Sequence, residues 1–159
     1  MKVRMRAIQA EGFLCIVFLF VLCLPVLAGA DPAGFVGSDS CMACHEQEYE
    51  NFTKYARKSH SFQSVLKMKK GLTSDEIKGC YVCHTTGYGQ PGGFVSLERT
   101  PELKDAGCEV CHGPGEQHIE SEDPDDLGGR VTIEICHKCH TEERVSSFRY
   151  KPMVHGGAH

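Results

Sequence analysis

Apolar residues in this chain come in short runs broken by glycine, proline and charge, and one run is longer than the rest. It spans Phe13 to Leu24, after Lys2, Arg4 and Arg6 and before Ala28-Gly29-Ala30. A basic start, an apolar middle and a small-residue end form a secretory signal peptide, here with cleavage before Asp31. An uncleaved anchor is the competing reading, but the run is shorter than the roughly 20 residues a membrane-spanning helix needs. Cys23 follows Leu22 rather than a small residue, which argues against a lipid anchor. The chain thus divides into residues 1–30, a signal peptide, and 31–159, one small domain.

Beyond a short loop at 31–37, the patterning is helical. Cys41, Cys44, His45, Tyr49, Phe52 and Ala56 fall on one stripe at helix spacing, after the capping residues Ser38-Asp39-Ser40. A second helix is predicted over 62–70, ending at Gly71. Thr73-Ser74-Asp75-Glu76 is a capping box for a third, which Gly79 should close. Residues 85–93 are too glycine-rich for a helix and predict an irregular loop, followed by a short strand over 94–97. Thr100-Pro101-Glu102 opens a helix that Gly107 ends. Residues 120–129 make an acidic, solvated loop, and Thr132 caps a last helix before a tail from Phe148 to His155. The fold class is mainly α with long irregular loops.

Charge and cysteine content sharpen this picture. Removing Lys2, Arg4, Arg6 and Glu11 with the leader leaves 14 basic against 20 acidic residues, a formal charge of −6. Such a surface suits basic partners and argues against nucleic acid. About 129 residues bury only a limited core of their own. Ten cysteines in an exported chain would ordinarily mean disulfides. Cys15 and Cys23 leave with the leader, however, and the other eight form four Cys-x-x-Cys pairs.

Each pair is followed at once by histidine: Cys41, Cys44 and His45; Cys80, Cys83 and His84; Cys108, Cys111 and His112; Cys136, Cys139 and His140. This is the attachment pattern of c-type haem. Thiols one helical turn apart can bond both vinyl groups of one porphyrin, and the next residue presents its imidazole to the iron. With histidine at 9 of 159 positions, four such coincidences have a chance of roughly 10⁻⁵, which makes the motif reading decisive. Structural zinc also uses Cys-x-x-Cys pairs, but it gains nothing from a histidine after every second cysteine. Four covalently bound haems are implied, and they would form much of the interior. Export agrees, because c-type haem is attached outside the cytoplasmic membrane.

Five histidines remain as sixth ligands for four irons. Gly113-Pro114-Gly115 turns the chain sharply after His112, so His118 is swung away from that haem toward a neighbouring one. His60 lies about 22 Å beyond His45 if the chain between is helical, so it too should serve another haem. His155 is in the tail, His159 is terminal and prone to fraying, and His137 lies inside a motif, aimed away from its own iron. Met68 and Met153 are alternative ligands of a kind that raises the potential, though the histidines suffice.

Residues 80–115 carry a family resemblance. Cys-x-x-Cys-His, then Gly87-Tyr88-Gly89-Gln90 and Gly92-Gly93-Phe94, then Cys-x-x-Cys-His-Gly-Pro-Gly resemble the central segment of the cytochrome c-554 family, and looser similarity covers the rest beyond residue 31. The family prototype is longer between its third and fourth motifs and at its C-terminus. The resemblance implies a multihaem fold built around four stacked haems, with His118 opposite His45, His60 opposite His140 and a tail histidine, His155, opposite His112. The haem on His84 would then be five-coordinate and open. Function follows as electron transfer between redox protein partners in the periplasm or outside the cell, without catalysis. Two alternatives stand beside it: a reductase of nitrogen oxides or oxyanions at the open haem, and a subunit of an extracellular haem conduit.

Overall fold

The computed structural model of the chain describes residues 34–145. The expected leader and cleavage site, and the tail with His155, Met153 and His159, lie outside the described residues. Six α-helices are present in that span: α1, Glu46–Tyr55; α2, Phe62–Met68; α3, Ser74–His84; α4, Glu109–His112; α5, Glu116–Ser121; and α6, Ile133–His137. Short 3-10 turns cover Ser38–Cys41, Arg57–His60, Pro101–Leu103 and Pro124–Asp126. No strand occurs among the described residues.

Several expected boundaries need correction. The first cysteine pair lies ahead of α1, not within it. His45 has φ −120° and ψ 48°, which breaks the helix between motif and stripe. One turn survives across the pair, His45 N–H donating to Cys41 O at 3.0 Å, so the two sulfurs keep their one-turn spacing. Helix α3 passes through Gly79 and carries the whole second motif. A glycine costs about 1 kcal/mol in a helix, and here the capping box and the packing of Ile77, Cys80 and Tyr81 against the core offset it.

The strand expected over 94–97 is absent because its backbone bonds to a loop and not to a ladder. Phe94 N–H donates to Thr86 O at 2.9 Å and Val95 N–H to Thr100 Oγ1 at 2.8 Å. The helix expected from Thr100 to Gly107 stops as a 3-10 turn at Leu103. Its carbonyls are diverted sideways, Leu103 O accepting from Thr86 N–H at 2.9 Å and Asp105 O from Thr86 Oγ1 at 2.6 Å. The acidic stretch is also more ordered than a loop, since α5 enters it and Pro124–Asp126 forms a turn. Thr132 stands at the N-cap of α6, as expected, but its side chain makes no capping bond.

The side-chain core is small. Phe62, Val65, Phe94 and Leu103 are buried together, with Phe35, Ile77, Tyr81 and Tyr88 packed around them. Tyr81 stands edge-on to Tyr88 and to Phe94, with ring centres 5.3 and 5.2 Å apart. This cluster ties α2 and α3 to the glycine-rich loop and so fixes the second motif. The remaining buried apolar residues are Phe52, Ala56, Ala106 and Cys136, too few to hold the other three motifs by packing alone.

Candidate haem-attachment site

The second motif is aimed from its rear. His84, the last residue of α3, has Nδ1 2.9 Å from the carbonyl oxygen of Ser61. An imidazole that gives its Nδ1 proton to a carbonyl leaves Nε2 as the metal-binding atom and fixes its direction. Ser61 Oγ in turn donates to His84 O at 2.9 Å and accepts from Ala106 N–H at 2.8 Å. One buried serine thus joins the end of the second motif to the approach of the third. Ser61→Ala strands the buried Ala106 amide, and thermal unfolding should show a loss of about 1–3 kcal/mol.

The third motif is held by a carboxylate inside it. Glu109 is buried at 4% exposure and accepts three backbone protons, from Val36 at 2.9 Å and Gly115 at 2.8 Å through Oε1, and from Gly37 at 2.8 Å through Oε2. Cys108 N–H donates to Ser38 Oγ at 3.1 Å, beside the first motif. Gly113, at φ +86°, ends α4 and makes the bend. A side chain there would be strained in that left-handed region and pressed toward the Gly128 amide.

Cysteines of different motifs meet in pairs, all as free thiols. Cys41 shares a hydrogen bond with Cys108, which, with burial next, pushes the Cys41 thiol up. The same bond pulls Cys108 down to about 6, against the opposing effect of its burial. Glu109 and Asp39 add negative field at Cys41. Cys139 is pushed up to about 12, first by burial and then by its hydrogen bond to Cys83. A cavity of about 350 Å³ is lined by Cys83, His84, Cys111, Cys136, Cys139 and His140, so three motifs open onto one space. A second cavity, of about 270 Å³, shares Val110, Cys111, Ile135 and Cys139 with it as a common wall.

His118 reaches the first motif. Its ring centre is 6.2 Å from that of His45, with 27° between the planes, and its Nδ1 is 2.9 Å from the carbonyl of Asp123. Metal–nitrogen bonds of about 2 Å on both sides, with each ring centre roughly 1 Å behind its nitrogen, place two imidazoles on one iron about 6 Å apart. The spacing of these two rings therefore matches that of two imidazoles sharing one iron. His60 is exposed at the end of its 3-10 turn and does not line the cavity that His140 lines. His140 is pulled down by burial and then by the positive charge of Lys58. His112 is half-buried at the end of α4, His137 is exposed, and Met68 is 67% exposed at the end of α2. Among the described residues, no three His, Cys, Asp or Glu side chains converge as a bare-metal site.

Sequence reasoning missed Glu109, Ser61, Lys58 and Arg144. Lys58 Nζ lies 4.0 Å from Cys111 Sγ and Arg144 Nη1 3.2 Å from Cys83 Sγ. Glu109 alone carried a signal, as an acidic residue inside a Cys-x-x-Cys pair.

Residues 40–113, which hold the first three motifs, match the family described as cytochrome c554 and c-prime. The chain is 34% identical over 109 residues to cytochrome c-554 of Nitrosomonas europaea, a match that takes in 61% of this chain and 45% of that protein. It therefore spans less than half the length of this curated relative. The reduced-state structure of cytochrome c554 from Nitrosomonas europaea superposes with a TM-score of 0.57 at 23% identity, covering 79% of this chain and 84% of the other. The fold is accordingly the helical one of that structure.

Proposed function

Taking as premise the cytochrome c-554 family, which these matches support, we propose that the mature chain is a tetrahaem c-type cytochrome that carries electrons between redox partners. One observation carries the reading: the four motifs adjoin one another. The Cys41 thiol lies beside that of Cys108 and the Cys139 thiol beside that of Cys83, while Cys111 shares a cavity wall with Cys136 and Cys139. The first motif therefore adjoins the third, and the third, fourth and second open onto one cavity. Haems attached there supply reversible one-electron chemistry, and the chain's part is to hold their edges in that arrangement. His45, His84, His112 and His140 would be the proximal ligands, with His118 opposite His45. The His84 Nδ1 bond to Ser61 would leave Nε2 as its ligating atom.

The remaining assignments rest on the family pattern: His60 opposite His140, His155 opposite His112, and an open sixth position above His84. Export to the periplasm or beyond follows from the leader, with Asp31 as the mature N-terminus. No helix among the described residues is long and apolar enough to cross a membrane. Donor and acceptor would be redox proteins.

Intact mass tests the central claim. The purified chain should begin at Asp31 and carry four haems, and apoprotein or a zinc-bound mass would defeat it. Carbon monoxide should bind about one haem in four. Sustained turnover of nitrite or hydroxylamine at about 1 to 10³ per second would move the protein into the reductase class instead.

A further inference from the structure

The larger cavity has an unusual charge for this chain. Arg57, Lys58 and Arg144 line it, and no carboxylate does among the described residues, although acidic residues outnumber basic ones in the whole sequence. The two closest cations touch different motifs: Lys58 the Cys111 sulfur of the third, Arg144 the Cys83 sulfur of the second. Beside the first motif the charge reverses. Asp39 sits in the turn that leads into Cys41, while buried Glu109, between Cys108 and Cys111, belongs to the third motif and opposes Lys58 there.

We propose that Lys58 and Arg144 are potential-setting residues, which hold the haems of the second, third and fourth motifs above the haem of the first and so give the electron path a direction. This inference rests on the tetrahaem reading above. The physical basis is that reduction adds one negative charge to a haem. A cation beside the porphyrin edge stabilises the added charge, and a carboxylate opposes it. Arg144 is solvent-exposed, so screening reduces its share. Asp39 beside Cys41 works in the same direction by lowering the first haem, whereas Glu109 offsets part of the effect of Lys58 at the third. Electrons entering beside His45 would settle toward His84 and His140.

The test uses the haem-loaded full chain, with Lys58→Met and Arg144→Met made singly and together and Lys58→Arg as the charge-retaining control. Spectroelectrochemical titration reads the four midpoint potentials, and electron paramagnetic resonance reads the ligand sets. Each methionine variant should lower at least one potential by three- to tenfold in the reduction equilibrium constant, about 30–60 mV at 59 mV per decade. The double variant should sum the two, Lys58→Arg should match the parent, and the resonance signals should not move. Unchanged potentials in both single variants overturn the proposal. So does an equal shift in Lys58→Arg and Lys58→Met, or a change in ligand-field signals, since each makes the residues structural. If Lys58→Met fails to load haem, Arg144→Met decides alone. A parent protein with fewer than four haems refutes the tetrahaem reading instead, and intact mass separates that failure from this one.

Discussion

Glu109→Ala is expected to destabilise the haem-loaded protein by about 3 kcal/mol or more, the largest loss from any single side chain outside the haem ligands. The carboxylate is the common acceptor for Val36, Gly37 and Gly115, and each amide stranded in a buried setting costs about 1–3 kcal/mol. Two of these bonds are also long-range. They fasten the start of the described chain, 72 and 73 residues away, to the third motif and to the bend that leads to His118. Glu109→Gln should fall between, because its amide group can accept from some of the amides but must turn a donor toward another. Denaturant unfolding followed at the haem absorption measures all three proteins. A loss within about 0.5 kcal/mol, as for an ordinary surface change, would show that the haems alone hold this corner.

What could be read from the sequence was what local chemistry determines. The four Cys-x-x-Cys-His motifs are contiguous, so their cofactor is legible without any fold. Helix α2 was expected over 62–70 and spans Phe62–Met68, and the capping box at Thr73 forms with both of its bonds. The bend at Gly113 occurs for the reason the residues give, since glycine alone accepts that φ cheaply. Failures came where a distant partner outweighs local preference. Gly79 signals a helix end, yet Tyr81 and Cys80 on the following turn are drawn into the core and the helix continues. Residues 94–97 have strand-like composition, yet Phe94 is pinned to Thr86 and no second strand exists among the described residues to pair with. The stripe from Cys41 to Ala56 has helical spacing, but His45 leaves the helix and gains the freedom to face His118. Ser61 and Asp123 act on histidines through backbone carbonyls, which every residue has, so no pattern of side chains could have revealed them.

His118→Ala is expected to turn one low-spin haem into a high-spin one while leaving the total at four. His118 meets the first motif, not the third motif it follows, because Gly113 and the turn into α5 carry it across to His45. With the imidazole gone, His45 remains the only nearby nitrogen ligand identified for that iron, and the sixth position opens to water or carbon monoxide. Carbon monoxide uptake should rise from about one to about two haems, and one low-spin resonance should disappear. His118→Met separates ligand loss from loss of fold: a methionine in that place restores a low-spin haem at a raised potential, whereas a collapsed α5 restores nothing. An unchanged low-spin count in His118→Ala would sink the assignment of His118 to the His45 iron. It would also break one link in the proposed arrangement of haems, since the loop from Gly113 to His118 is what joins the third motif to the first on the ligand side as Cys41 and Cys108 join them on the sulfur side.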